Sequence, residues 1–209
     1  MTDPILVDLL RHGAVEAEGW SLHGATDTPL SRRGFRQMEA VCRRLAPHDE
    51  IASSPMARCR SFAEERARTT GVRCTLLEGM REIDFGIWEQ HTLEEIERDH
   101  GALLRRFRTS PVGVTPPGGE PFDRFADRVL STWERWMGEA TGGRRRLLVA
   151  HGGVIRVILA HLLQMPRSAL WRIHLPHAAA SRVSLLAGEA PRILFINGPP
   201  AGVEADCAG

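Results

Sequence analysis

The sequence predicts an α/β fold: a three-layer αβα sandwich with a mostly parallel central sheet and a small cap region. Two observations point there. Short apolar runs alternate with helical patterns along the chain, the signature of strands joined by crossover helices. Two of those runs, Leu9-Leu-Arg-His-Gly13 and Leu148-Val-Ala-His-Gly-Gly153, end in the same His-Gly step.

Ile5-Leu-Val-Asp-Leu-Leu10 reads as a buried strand interrupted only by Asp8. A polar loop follows, and Ser31 then stands as a helix N-cap, with Leu30 placed to staple against Phe35. Glu50-Ile-Ala-Ser53 is a second strand, and a helix from about Ala57 closes at Gly71. Residues 73–77 suit a third strand. Helical spacing resumes from Leu93 to about Arg108, and after the Pro- and Gly-rich segment 110–121 a long helix carries Phe122, Phe125, Val129, Trp133 and Trp136 on one face. Arg146-Leu-Leu-Val-Ala150 is another buried strand leading into a helix to about Leu163, and Arg144-Arg-Arg146 reads as a surface run at the start of that strand. Residues 183–186 and 192–196 suit two edge strands. The whole reads as one domain, 1–209, with a cap-like insertion at about 78–121 and a loose tail at about 198–209.

Composition narrows the function classes. All 27 basic side chains are arginine, and against 26 acidic residues they leave a net charge of +1, which excludes a broad nucleic-acid footprint. The most apolar stretch, 154–163, contains Arg156 and His161 and falls short of the ~20 residues a bilayer needs. Four cysteines without a CxxC pair, and no leader at Met1-Thr-Asp-Pro, point to a reduced cytoplasmic setting. His23, His48, His91, His100, His161, His174 and His177 show no ligand spacing, so neither a metal nor another cofactor is expected.

In a parallel sheet the carboxyl ends of the strands share one edge, where ligands bind. If the two His-Gly strands are neighbours, His12 and His151 face each other there. Arg11 adjoins His12, Arg58 follows Ser53-Ser-Pro-Met-Ala, and the helix opening at Gly152 offers unpaired N–H groups. Two guanidinium groups beside two imidazoles suit a phosphate dianion.

These motifs in this order resemble the histidine phosphatase, or phosphoglycerate mutase-like, superfamily. The supports are Leu10-Arg-His-Gly13, Asp27-Thr-Pro-Leu-Ser31 with Gly34 and Gln37, Ser53-Ser-Pro-Met-Ala-Arg58, Arg81-Glu-Ile-Asp-Phe-Gly-Ile-Trp-Glu89 and Val149-Ala-His-Gly152. The resemblance implies that His12 is the nucleophile, that Arg11, Arg58 and His151 hold the phosphoryl group, where the helix opening at Gly152 adds its amides, and that Glu82 is the acid/base. Asp84 and Glu89 are the other carboxylates in the same segment. The chain departs from many relatives at Ala14-Val15-Glu16, where they carry an acidic residue, threonine or asparagine. Mutases usually have a longer insertion after the glutamate, with paired arginines; here it is short, and Arg105, Arg106 and Arg108 follow a helical pattern, so phosphatase ranks above mutase. A scaffold keeping only the phosphate pocket is the non-catalytic alternative. Cys59-Arg-Ser-Phe-Ala63, Pro116-Pro-Gly-Gly-Glu120 and His151-Gly-Gly-Val-Ile-Arg-Val157 are similar to the α-ribazole phosphatase branch, with Trp20 and His23 as stacking surface for a base. The expected partner is a small phosphorylated metabolite, without nucleic acid or membrane, and the expected assembly includes a homodimer.

Overall fold

The structure, a computed structural model, describes residues 3–17, 21–139 and 144–198. The expected loose tail from 199 onward, Trp20 and Cys207 lie outside the described residues.

Six strands form one sheet: β1 (Ile5–Arg11), β2 (Glu50–Ser53), β3 (Cys74–Leu76), β4 (Arg145–Ala150), β5 (Ala180–Leu185) and β6 (Arg192–Gly198), in the order β3-β2-β4-β1-β5-β6. The β3-β2-β4-β1 run is parallel throughout, while β5 lies antiparallel to both β1 and β6. Of the two strands expected at the edge, β5 is therefore interior and β6 lies at the edge, with β3 at the opposite one. The cause is pairing between β5 and β1, which are far apart in sequence.

Alternation along the strands divides the core into two. Val7, Leu9, Leu148 and Ala150 pack with α4 (Phe122–Gly138) and α5 (Gly152–Leu162), whereas Leu10, Ile51, Leu147 and Val149 pack with α1 (Arg32–Cys42) and α2 (Ala57–Thr70). Helices thus cover both faces, giving the three layers. Ser31 caps α1 by accepting from the Gly34 amide, and Gly71 ends α2 in the left-handed conformation (φ 72°). Helix α3 (Leu93–Thr109) opens with a Thr92/Glu95 capping box and bends at His100, beside Gly101. Among the described residues no helix is long and apolar enough to cross a membrane.

The expectation of a surface arginine run holds for Arg144 but not for Arg146, which is buried. Strand β4 is central, so Arg146 points into the core, where it meets Glu50 at 3.4 Å, donates to the Trp136 carbonyl and lies over the Trp136 ring. Glu50 in turn accepts from Trp136 Nε1 at 2.9 Å.

Candidate active site

Strand register sets the site. Leu10 pairs with Val149 and Arg11 with Ala150, so β1 and β4 end level and release His12 and His151 side by side, their ring centroids 5.3 Å apart. The loop after β1 is clamped by the start of α1: Ser31 Oγ and the Ser31 amide both donate to the Ala14 carbonyl, and the Ala14 amide donates to Gln37 Oε1. Gly13 and Gly34 stand back to back, and a Cβ on Gly13 would lie 2.2 Å from the Gly34 carbonyl oxygen. The glycine after His12 is needed for this backbone contact. On the other side, a Cβ on Gly153 would lie 2.3 Å from Glu82 Oε1, so that glycine makes room for the carboxylate.

His12 Nδ1 lies 2.8 Å from the Gly13 carbonyl, so Nδ1 carries the proton and Nε2 keeps its lone pair. Burial, followed by the charges of Arg11 and Arg58, holds the His12 pKa well below the usual imidazole value. The ring is thus held in its neutral form, with Nε2 unprotonated. His151 is fully buried and is likewise held neutral, first by burial and then by Arg58. Its Nδ1 accepts from Arg58 Nε at 3.2 Å, which leaves Nε2 to donate to Ser54 Oγ at 2.7 Å.

Arg58 is completely buried. Beyond the His151 bond, its Nη1 donates to the Thr26 carbonyl, and its Nη2 donates to the carbonyls of His23 and Gly24. The amides of the same loop face the other way: Gly24, Ala25 and Thr26 donate to the Glu89 carboxylate, which also accepts from Phe85. Asp27 fastens the loop to the start of α2 by accepting from the Ala57 amide. Arg11 gives Nη1 to the Leu175 carbonyl, while its buried Nε has no hydrogen-bond partner. Burial and the neighbouring Arg156 lower its pKa to about 10.

Of the three carboxylates considered, Glu82 alone lines the cavity. It accepts from the Gly153 amide at 2.9 Å, at the N-terminus of α5. Asp84 accepts from the Gly86 amide, a turn contact, and Glu89 is committed to the loop just described. The cavity holds about 810 Å³, with Arg11, His12, Glu82, Gly152, Arg156 and His177 at its polar end. Its apolar lining includes Ile83, Phe85, Phe107, Phe125 and Trp171. Among the described residues, no three His, Cys, Asp or Glu side chains gather as metal ligands would.

Comparison with known proteins decides the family. A family model described as the histidine phosphatase superfamily (branch 1) matches residues 7–198. The chain belongs to that superfamily. A bifunctional protein of Mycobacterium tuberculosis is 31% identical over 205 residues, covering 93% of this chain but 54% of its own length, so the chain spans about half of that relative. The adenosylcobalamin/alpha-ribazole phosphatase of Salmonella typhimurium is 28% identical over 86% of this chain and 90% of its own. The native structure of a mycobacterial glucosyl-3-phosphoglycerate phosphatase superposes with a TM-score of 0.81 at 26% identity, covering 94% of this chain and all of the other.

Three further residues of this histidine phosphatase superfamily member reach the site without a sequence signal that singled them out. His177 lies 5.5 Å from the His12 ring, because the Ala178 amide donates to the His12 carbonyl as the chain enters β5. Burial, then Arg11, pushes the His177 pKa down to about 4. Arg156, one turn into α5, is fixed by the Ile173 carbonyl and lies over Trp171. Ser54 sat inside a quoted motif, and only the structure shows its bond to His151.

Proposed function

We propose that the chain hydrolyses small phosphomonoesters through a phosphohistidine on His12, with α-ribazole 5′-phosphate as the leading substrate. The juxtaposition of a neutral His12 with guanidinium groups that outnumber the nearby Glu82 carboxylate, whose charge acts on Arg11 and Arg156, carries this reading. Arg11, Arg58 and Arg156 direct their bonds to carbonyls and a ring nitrogen, and among the described residues none is ion-paired. A phosphate dianion supplies the missing negative charge.

In the first step His12 Nε2 attacks phosphorus, the P–O bond to the leaving group breaks, and Glu82 in its protonated form gives its proton to the departing oxygen. Arg11 Nε, the remaining Nη1 hydrogen of Arg58 and the Gly152 amide hold the phosphoryl oxygens. His151 joins them by exchanging its Ser54 bond for a phosphoryl oxygen. In the second step water attacks phosphorus, the N–P bond breaks, the water proton passes to Glu82, and phosphate leaves.

Residues 78–121 serve as the cap of a single domain, since Ile83, Phe85, Leu93, Leu104 and Phe107 supply much of the apolar wall. That wall suits a flat organic leaving group. His23 also lines the cavity. A carboxylate-bearing substrate is the second reading, favoured by Arg33 and Arg108, which line the cavity and are exposed. A cytoplasmic homodimer completes the proposal; Cys42, Cys59 and Cys74 as free thiols suit a reducing compartment.

The test is hydrolysis of p-nitrophenyl phosphate in chelator, with rapid-quench trapping of labelled phosphate on the protein. His12→Ala should abolish the acid-labile adduct and lower turnover by on the order of 10³-fold or more. A wild type without the adduct would exclude the mechanism. Parallel assays of α-ribazole phosphate, glucosyl-3-phosphoglycerate, and 3-phosphoglycerate with its bisphosphate primer rank the substrates; isomerisation faster than hydrolysis would make the chain a mutase.

A further inference from the structure

Arg128, in the middle of α4, lies outside the cavity lining yet is bonded to the whole segment that carries Glu82. Its Nη1 donates to the carbonyls of Gly79 (2.9 Å) and Arg81 (2.8 Å), and its Nη2 donates to the carbonyl of Glu82 itself (3.0 Å). The remaining face of the guanidinium makes a two-point pair with Glu120, Nε to Oε1 at 2.7 Å and Nη2 to Oε2 at 2.8 Å. Glu120 is held in turn, because its amide donates to the Asp84 carbonyl. One planar cation therefore joins α4, the backbone of 79–82 and the end of the 110–121 segment. The guanidinium carbon also lies 5.0 Å from the centre of the Phe125 ring, which lines the cavity.

This arrangement solves a positioning problem. Glu82 follows a 3-10 turn (Glu78–Met80) and sits on irregular backbone, with no helix or strand to fix it. Its carboxylate is tethered at one end by the Gly153 amide, and its main chain is tethered at the other by Arg128. Gly79 lets the segment come close: a Cβ there would lie 1.9 Å from Thr132 Oγ1, one turn along α4 from Arg128. A misplacement of about 1 Å in a catalytic group costs up to about 100-fold in rate, so the anchor of a proton donor on irregular backbone has kinetic weight.

We propose that Arg128, paired with Glu120, is a positioning residue that sets Glu82 for proton transfer to the leaving group. The inference rests on the acid role of Glu82 in the proposed reaction. It predicts a dependence on leaving group. A good leaving group departs without a proton, whereas an alkyl alkoxide does not, so loosening Glu82 should slow only the second.

The experiment measures single-turnover formation of the acid-labile adduct on His12 from 2,4-dinitrophenyl phosphate and from an alkyl phosphate. Wild type, Arg128→Lys, Arg128→Met, Glu120→Gln, Glu82→Gln and the Arg128→Met/Glu82→Gln pair are compared, with melting temperatures recorded for each. The expected result is a loss of about tenfold or more with the alkyl ester and less than about threefold with the dinitrophenyl ester for Arg128→Met. Glu120→Gln should show a smaller loss of the same kind, and Arg128→Met should add nothing once Glu82 is Gln. Equal losses on both esters, or full additivity in the double variant, would overturn the proposal while leaving the His12 mechanism intact. If wild type forms no adduct, the mechanism and the positioning role both fall. If Arg128→Met does not fold, Arg128→Lys and Glu120→Gln give the same comparison, and uniform losses in them count against it.

Discussion

Strand β1 carries one buried and one half-buried charge that are treated in opposite ways. Asp8, midway along it, is fully answered from within: Arg182 on β5 contacts both carboxylate oxygens at 2.9 Å, and His48 Nε2 lies 2.8 Å away. Arg11, at its end, has its Nε buried without a partner, and beside it stand Arg58 and Arg156, bonded to carbonyls and a ring nitrogen. The first cluster is a closed account of charge, as the Glu50–Arg146 pair is on the neighbouring strands. The second, open by comparison, sets Arg11, Arg58 and Arg156 against the Glu82 carboxylate and, on the proposed function, is where an anion binds. A buried arginine's function is thus read less from its burial than from what neutralises it.

The largest effect should come from breaking the closed cluster. Asp8→Ala removes the carboxylate that Arg182 and His48 share in the core and should cost about 3–5 kcal/mol in urea unfolding, as removing one partner of a buried pair does. Turnover per folded molecule should be unaffected. Replacing both, as Asp8→Leu with Arg182→Met, should recover much of the loss; a double variant as unstable as the single would count against charge pairing as the cause.

The open cluster should respond in the reverse sense. Inorganic phosphate at about 100 times its dissociation constant should stabilise the wild type by about 2.7 kcal/mol. Arg11→Met should change the unliganded protein little, since the lost bond to the Leu175 carbonyl is offset by relief of the burial and the Arg156 repulsion that lower its pKa, and should lose most of the phosphate response. Thermal melts with and without phosphate measure both. A large destabilisation of the unliganded variant would mean that Arg11 is structural.

Acid separates the two regions by pH window and gives the smallest effect. The pKa values of His12 and His151 are depressed by burial, so unfolding takes up protons as soon as the pH falls below about 6.5, the free imidazole value. Stability should decline from there towards their folded pKa values. For Asp8, burial raises the pKa, but hydrogen bonds from His48 and Arg182 outweigh it and leave the value lowered. Its contribution is present above about 3.9 and is lost only as the pH falls through the lower folded value. Melting temperature against pH should show an early shallow loss that His12→Ala reduces and a later one that it leaves alone.

Much of this was legible in the residues. The two apolar runs ending in His-Gly place His12 and His151 together because parallel neighbours end level, and Ser31, Gly34 and Gln37 have evident work once the loop after β1 is seen. Local pattern is silent on what distant pairing does. His177 reaches His12 only because β5 runs antiparallel beside β1. Arg146 has the look of a surface run until β4 proves central. The resemblance alone sets Glu82 apart from Asp84 and Glu89 in the sequence, and the direction of nearby amides is what separates a cavity carboxylate from a turn contact and a loop clamp.

The place of β1 in the sheet also has a consequence for synthesis. Residues 5–11 are synthesised well before their partners, residues 145–150 and 180–185. Such pairing gives the topology a high contact order, and folding is correspondingly slow. The segment bearing His12 therefore waits unpaired until residues 145–150 have been made, so the nascent chain carries that imidazole long before the cavity around it exists.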